Sequence, residues 1–364
     1  MLIQEIINSI ETFAPLSLQE SYDNSGLICG NTSAEAKGAL LTLDCTEAIV
    51  DEAIKQKCNL IIAHHPIVFT GLKKITGRTY VERVLIKAIK NDIAIYAAHT
   101  NLDSVENGVN KMICDKLRLQ NCRILAPKQG LLKKLITFCP VEKAEYVRTA
   151  LFAAGAGHIG NYDECSFNSE GLGTFKANKG AQPYVGKIGK QQKESEQKIE
   201  TILPAHLEKK VLKALVEAHP YEEVAYDIFP LTNLHKNIGS GMVGELKKGL
   251  SEKAFLDQLK KLMKTESIRY TNLLGKKVKK VAVCGGSGGF LLADAIAAGA
   301  DVFVTADFKY HQFFDADNKL VIADIGHYES EQFTPQIFYN IISTNFPKFA
   351  VRLSKIRTNP INYL

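Results

Sequence analysis

The chain has 364 residues, 46% of them hydrophobic and 23% charged, which is typical of a globular protein long enough for two or three domains. Its net charge of +6 permits anionic substrates but does not by itself indicate nucleic-acid binding. No stretch approaches the ~18 apolar residues of a membrane span, and the N-terminal residues lack the pattern of a signal peptide. Since the eight cysteines are scattered without a C-x-x-C pair, we expect a cytoplasmic protein with free thiols.

Residues 1 to about 125 are predicted to alternate between helices and strands. In chain order the elements are a helix ending near Pro15, a short strand after the polar turn at 21–26, a strand at 39–44, a helix at 46–57, a strand at 60–63, a helix at 80–91 and a strand at 93–98. Strands that alternate with helices pair in parallel, and the helices cover both faces of the sheet.

Residues 126–235 show a different pattern. The predicted elements are a strand at 131–138, a helix at 142–154, a strand at 199–203, a helix at 207–218 and a strand at 223–230. A long loop rich in Gly, Asn, Ser and Gln is predicted from 155 to about 197, and its polar end at 186–198 is expected to be flexible. With one further strand to complete a hairpin in the middle, these five elements match the ferredoxin-like arrangement, β-α-β-β-α-β.

The alternating pattern returns from about residue 240 to the end. The predicted elements are a helix at 256–264, a strand at 280–284, a glycine loop at 285–289, a helix at 290–298, strands at 302–305 and 319–324, and a final helix at 330–343. We therefore predict an α/β core domain made of two segments, 1–125 and 236–364, with a mixed, largely parallel sheet. A ferredoxin-like α+β domain at 126–235 would be inserted between the two segments.

Candidate metal ligands follow three of the predicted strands. They are His64 and His65, then the segment His99–Asp103, and then His327 with Glu331. Adjacent side chains at a strand end point to opposite sides, so two neighbouring histidines suit two metal ions better than one. If the last helix begins at Tyr328, His327 and Glu331 lie on one helix face and can reach the same ion, whereas Glu329 points elsewhere. The alternative is that each histidine is simply packed or hydrogen-bonded.

Imidazoles combined with carboxylates suit Zn, Mn, Fe or Co rather than Ca or Mg. A shared carboxylate can bridge two ions about 3.5–4 Å apart, as in two-metal hydrolytic sites. The glycine loop does not complete a dinucleotide fingerprint, because Leu291 stands where the third glycine would be, and no Walker A loop is present. We interpret it as a tight turn that brings backbone close to the site.

Taken together, these motifs resemble the dinuclear metal-centre hexamer family, whose members are commonly called GTP cyclohydrolase 1 type 2 homologs. The resemblance covers essentially the whole chain, and its motifs are Asp23–Leu27, His64–Pro66, His99–Asp103, Cys284–Gly288 and Asp324–Glu331. The segment His219–Asp227 resembles the inserted domain of the long bacterial form, which is similar to CutA and PII-like trimeric modules.

The resemblance implies which residues act and how the chain assembles. It implies two divalent ions (Zn, Mn or Fe) per subunit, held by His64, His65, Asp103, His327 and Glu331. It also implies toroidal homohexamers built from trimers. Within the matching segment Thr305–His311, His311 becomes a candidate catalytic proton carrier or substrate contact, and Lys309 a possible anion contact. A buried, hydrogen-bonded His311 without a chemical role is the alternative.

The function predicted from these residues is that of a metal-dependent hydrolase acting on a small, nucleotide-like substrate. A hydroxide bridging the two ions would attack the substrate, as in a ring-opening cyclohydrolase or a phosphoesterase. The alternative is a non-enzymatic metal-binding or regulatory oligomer whose inserted domain senses a ligand. A third hypothesis is nucleic-acid binding through an internal basic cavity. It rests on the net charge of +6, and it predicts that binding depends steeply on salt concentration.

Overall fold

A computed structural model describes residues 1–364, and the chain divides into two units. Unit 1 combines residues 1–127 with 236–364, and unit 2 consists of residues 128–235. None of the helices has the length and apolar character that crossing a bilayer requires.

The N-terminal segment alternates helices with short, buried strands. Its elements are α1 (Ile3–Phe13), β1 (Gly26–Cys29), β2 (Ala39–Thr42), α2 (Glu47–Lys55), β3 (Leu60–Ala63), α3 (Tyr80–Lys90), β4 (Ala94–Ala97), α4 (Thr100–Ser104), α5 (Val109–Lys116) and β5 (Gln120–Lys128). The threonine hydroxyls of Thr46 and Thr79 accept hydrogen bonds from the first-turn backbone and so fix where α2 and α3 begin. Every residue of β2, β3 and β4 is buried, as expected for strands covered on both faces.

Unit 2 is a four-stranded antiparallel sheet with two helices. Its elements are β6 (Leu132–Pro140), α6 (Ala144–Ala153), β7 (Ser166–Lys176), β8 (Gln191–Pro204), α7 (Glu208–Ala218) and β9 (Tyr226–Leu231). The strand order is β7-β8-β6-β9, which is the strand order of the ferredoxin-like arrangement. The buried side chains Leu135, Val147, Ile199 and Leu215 belong to its own core.

The long loop predicted from 155 to about 197 is wrong. Residues 166–176 and 191–204 are paired as an antiparallel hairpin from Ser166 opposite Thr201 to Lys176 opposite Gln191. Much of this hairpin is exposed, so its polar and charged side chains carry no apolar alternation that would mark a strand. Most of its pairing is seen only in the backbone hydrogen bonds, and composition therefore hid it.

The C-terminal segment completes unit 1. Its elements are β10 (His235–Ser251), α8 (Glu252–Leu262), β11 (Arg269–Tyr270), β12 (Lys277–Ser287), α9 (Leu292–Ala297), β13 (Val302–Ala306), β14 (Val321–Asp324), α10 (His327–Glu331), α11 (Thr334–Asn345) and β15 (Val351–Leu353). Short 3-10 helices at Gly289–Leu291 and Tyr310–Ala316 lie beside β12 and after β13.

Unit 1 contains two sheets, and each takes a strand from both segments. The first has the order β1-β4-β3-β2-β15, so the C-terminal β15 pairs in parallel with β2. The second has the order β11-β14-β13-β12-β10-β5, so β5 lies at the edge of a sheet otherwise made from the C-terminal segment. Parallel and antiparallel pairs occur in both sheets, which confirms the predicted mixed α/β class.

The largest buried cluster joins the two segments of unit 1. It includes Ile6 of α1, Leu41 of β2, Val304 of β13 and Phe338 of α11, and α1 packs directly against α11. This shared core brings the residues that follow β3 and β4 close to those that follow β12 and β14. The two halves of the candidate site, which lie in different segments of the chain, therefore depend on the same packing.

Candidate metal centre

His64 and His65 stand where β3 ends, and backbone hydrogen bonds fix both of them. Their amide groups donate to the carbonyl of Leu43, at 3.1 and 3.0 Å. His64 is fully buried, and its Nδ1 lies 2.8 Å from the carbonyl oxygen of Ala98. That contact aims Nε2 of His64 at Asp103 and Glu331. His65 also faces Glu331, but its other partner is Asp44.

Glu331 is the point at which the candidate ligands meet. Its Oε1 lies 3.8 Å from His64 Nε2, and its Oε2 lies 3.0 Å from His65 Nε2 and 3.2 Å from His327 Nε2. His327 and Glu331 are one turn apart on α10, the spacing predicted from the sequence. Asp103 of α4 completes the group, with Oδ1 3.6 Å from His64 Nε2.

These distances define two sets of ligand atoms that share one carboxylate. One set is His64, Asp103 and Glu331, and the other is His65, His327 and Glu331; within each set the atoms lie within 4.8 Å of one another. His64 Nε2 and Asp103 Oδ1 are buried without any hydrogen-bond partner. An unpartnered buried polar atom is costly, and a cation between the two would satisfy both. The residues therefore fit divalent metal ions.

Carboxylates behind the ligands hold the imidazole rings in place. His65 Nδ1 lies 2.7 Å from Asp44 Oδ1, and Asp44 Oδ2 accepts a 2.5 Å hydrogen bond from the Thr358 hydroxyl. His327 Nδ1 lies 2.6 Å from Asp307 Oδ2. Such pairs fix the ring so that Nε2 faces the metal position, and they raise the basicity of that nitrogen. Sequence reasoning did not identify Asp44 or Asp307.

Asp307→Asn tests this positioning role. The substitution removes the negative charge behind His327, and we expect metal affinity to fall about 10- to 100-fold, as for other outer partners of metal-bound histidines. Chelator competition followed by metal analysis measures the change. Asp317→Asn is the matched control, because Asp317 is an exposed acid that pairs only with Lys319 among the described contacts. Equal affinities in both variants would contradict the role of Asp307.

His99 and Asp23 form a further pair beside the cluster. His99 Nδ1 lies 2.8 Å from Asp23 Oδ1, and the ring centroid of His99 is 5.2 Å from that of His64 and 5.4 Å from that of His65. Burial alone would raise the pKa of the Asp23 carboxyl, but hydrogen bonds with His99 and Thr100 hold it well below its usual range. Asp23 and His99 belong to two of the motifs on which the family resemblance is based, and the structure brings these motifs together.

The glycine segment predicted as a loop at 285–289 begins within β12, which extends to Ser287, and it forms part of the wall of the site. Gly285 N donates to Asn110 Oδ1 at 3.0 Å, and Gly286 N donates to the Ser330 hydroxyl at 2.9 Å. Gly286 has a φ of +59°, and a Cβ at this position would lie 2.5 Å from Glu331 Oε1. The backbone thus comes as close to the site as predicted for this loop, and Glu331 occupies the space that a side chain would need.

A cavity of about 930 Å³ opens onto the cluster. Four of the five predicted ligands line it, together with His99; His64 alone lies behind the wall. His327, Asp103 and His65 keep 36%, 26% and 16% of their side-chain surface exposed. The cluster is therefore reachable from the cavity.

His311 and Lys309 lie apart from this cavity. Both are exposed, and neither is among the lining residues. The His311 ring packs against Tyr310 and Phe314, at centroid distances of 5.1 and 6.4 Å. The alternative of a buried His311 is therefore wrong, and its catalytic role stays a prediction. Glu329, which was expected to point elsewhere, accepts a hydrogen bond from Asn359 Nδ2 at 2.9 Å.

The charged groups of the cluster shift one another's pKa values. Burial alone would lower the pKa of His65 and His327, but hydrogen bonds to Asp44 and Glu331 raise that of His65 to about 9, and hydrogen bonds to Asp307 and Glu331 raise that of His327 to about 11. Burial and the nearby Glu331 charge raise the pKa of Asp103 to about 7. The histidines in turn hold the pKa of Glu331 well below its usual range, against the effect of burial.

These shifts predict how metal binding depends on pH. Only the neutral imidazole binds a metal ion, so His65 and His327, which are protonated near neutral pH, must release their protons. We expect the apparent affinity to rise with pH by about tenfold per pH unit for each displaced proton, less steeply above about 9 where only His327 still releases one. Calorimetry in buffers of different ionisation enthalpy counts the protons released. A flat affinity between pH 6 and 8.5 would contradict the prediction.

Comparisons with known proteins find relatives that match nearly the whole chain. The family model for Duf34/NIF3 (NGG1p interacting factor 3) matches residues 1–360. The GTP cyclohydrolase 1 type 2 homolog of Bacillus subtilis is 40% identical over 366 residues, which cover 99% of this chain and 98% of that protein. The Staphylococcus epidermidis homolog of the same name is 35% identical over 367 residues, all of both chains.

A solved structure shows the same fold. The crystal structure of a Bacillus cereus protein related to NIF3 superposes with a TM-score of 0.87 at 41% identity, over 100% of this chain and 99% of that one. The resemblance drawn from the motifs is thus confirmed by full-length matches in sequence and in structure. The chain belongs to the Duf34/NIF3 family.

Proposed function

We propose that the chain is a metal-dependent hydrolase with a dinuclear centre held by His64, Asp103, His65, His327 and Glu331. The observation that carries this proposal is that the two oxygens of Glu331 face two separate ligand sets beside an open cavity. Structural metal sites are closed by protein ligands, whereas catalytic sites keep positions open to water and substrate. A site that opens onto a cavity of about 930 Å³ therefore favours catalysis.

Each residue has a defined part in this proposal. Two divalent ions, when bound, supply Lewis acidity and lower the pKa of a coordinated water. Glu331 would help to hold both ions, and Asp44 and Asp307 orient the imidazoles of His65 and His327. His99 lines the same cavity, and its contact with Asp23 through Nδ1 leaves Nε2 as the atom that accepts or donates a proton.

The proposed substrate is a small, nucleotide-like molecule, and the ions are Zn, Mn or Fe. The curated relatives carry the name GTP cyclohydrolase 1 type 2 homolog, which supports ring-opening hydrolysis of a purine as the form of this chemistry. The homohexamer, the cytoplasmic location and a CutA/PII-like role for unit 2 stay predictions.

A substrate screen tests the proposal. Protein loaded with Zn, Mn or Fe, and with its metal content measured, is incubated with GTP, other nucleotides, nucleosides and phosphoesters, and the products are separated by chromatography. We expect metal-dependent turnover of at least one nucleotide-like compound. Full metal loading without any product would instead favour a non-enzymatic metal-binding protein.

A further inference from the structure

The wall of the cavity combines carboxylates with aromatic rings. Its charged lining consists of the carboxylates of Glu20, Asp44, Asp103 and Glu331 and the imidazoles already described, and it contains no lysine or arginine. The aromatic side chains that line it are Tyr22, Phe69, Tyr80, Phe290 and Tyr328. Outside the ligand cluster, the wall therefore offers a bound anion the carboxylates of Glu20 and Asp44 and no lysine or arginine side chain.

The aromatic rings are accessible. Phe290, Tyr80 and Phe69 keep 68%, 59% and 50% of their surface exposed, although large apolar groups are normally buried. Phe69 also places a ring next to the cluster, edge-on to His99 at a centroid distance of 5.6 Å. Exposed rings around a reactive centre suit a flat ligand, because every heteroaromatic base has a face that can stack.

We propose that the cavity takes an uncharged heteroaromatic compound, such as a nucleoside or nucleobase, in preference to a nucleoside triphosphate. This inference rests on the proposed function and specifies its substrate class. The ring of the ligand lies against the aromatic wall, with Phe69 as its main contact, and its reacting atoms face Glu331 and the histidines.

The electrostatics of the wall disfavour a triphosphate. Proteins usually hold polyphosphates with Lys, Arg or backbone amides of glycine-rich loops, which neutralise several charges at once. The glycine segment in this wall does not offer such amides at 285 and 286, because both already donate to side chains of the protein. Cations bound by Asp103 and Glu331 could neutralise a single anionic group. The remaining phosphates would share the cavity with the carboxylates of Glu20 and Asp44, and like charges at short range repel.

Guanosine and GTP give a matched pair of probes, because they carry the same base. Binding of each to the full-length metal-loaded protein is measured by equilibrium dialysis, with metal content determined before and after because GTP chelates cations. We expect guanosine to bind more tightly than GTP. Phe69→Ala is expected to weaken guanosine binding about fivefold or more, as for loss of one stacking contact. Phe167→Ala, an exposed ring of unit 2, is the matched control and is expected to change nothing.

Three outcomes would overturn the inference: tighter binding of GTP than of guanosine at equal metal content, no binding of guanosine, or equal guanosine affinities in the two phenylalanine variants. The same dialysis on metal-free protein separates this inference from the proposed function. A protein that binds guanosine through Phe69 but no metal ion would contradict the hydrolase and leave the ligand class supported. A protein that binds metal but prefers GTP would contradict the ligand class and leave the hydrolase proposal standing.

Discussion

Glu331→Gln is expected to abolish turnover and to lower metal affinity by more than the 10- to 100-fold typical of losing an outer partner. Both oxygens of Glu331 face candidate ligand sets, so the substitution weakens both ion positions at once. It also removes the negative charge that raises the pKa of His65 and His327, so both pKa values should fall. Metal analysis after dialysis measures the loss, and circular dichroism verifies that the fold persists.

Glu329→Gln is the matched control for that variant. Glu329 is buried on the same short helix, but its carboxylate contacts Asn359 and not the cluster. We expect its metal content and turnover to stay close to those of the unmodified chain. If Glu331→Gln keeps its metal and turnover, the shared-carboxylate site is wrong.

Gly286→Ala is expected to disrupt metal binding without removing any ligand. The added Cβ would lie 2.5 Å from Glu331 Oε1 and 3.2 Å from the His327 ring, so both side chains would have to move. The φ of +59° adds about 1–2 kcal/mol of strain for a residue with a side chain. We expect at least a tenfold loss of metal affinity, comparable to the loss of an outer partner, with a modest drop in melting temperature.

Gly289→Ala provides the comparison within the same loop. A Cβ there would approach only Gln312, at 3.4 Å, which is ordinary contact, and Gly289 does not have a positive φ. Its metal affinity should equal that of the unmodified chain. Equal metal affinity in the Gly286 and Gly289 variants would mean that the close approach at Gly286 does not shape the site.

Much of the site could be predicted because two local rules apply to it. Polar residues directly after buried parallel strands gather at one edge of a sheet, which pointed to His64, His65 and the segment His99–Asp103. Within that segment, only the family resemblance singled out Asp103. The four-residue helical spacing placed His327 beside Glu331. Both rules use only neighbouring residues, so they need no knowledge of how distant segments pack.

The residues that were missed show where those rules were applied too narrowly. Asp44 follows β2 and Asp307 follows β13, so the strand-end rule could have identified both. Single carboxylates at strand ends are common, however, and only the contacts with His65 and His327 distinguish these two. Those contacts depend on long-range packing that local patterns do not encode.

The fold likewise depends on long-range pairing that local sequence patterns do not encode. The pairing of β15 with β2 and of β5 with the second sheet joins residues far apart in sequence, and no periodicity reports such pairing. In the exposed part of the hairpin of unit 2, at 166–176 and 191–198, the strand residues lack apolar alternation, whereas 199–203 shows it and was predicted as a strand. The buried strands of unit 1, in contrast, are short apolar runs bounded by polar turns and could be predicted from the sequence.

A crystal structure of the metal-loaded chain, with anomalous data at the absorption edge of the metal, tests the central claim most directly. We expect two peaks about 3.5–4 Å apart, with Glu331 bonded to both. His64 and Asp103 should contact one peak, and His65 and His327 the other. A single peak, or peaks that do not contact Glu331, would contradict the dinuclear centre.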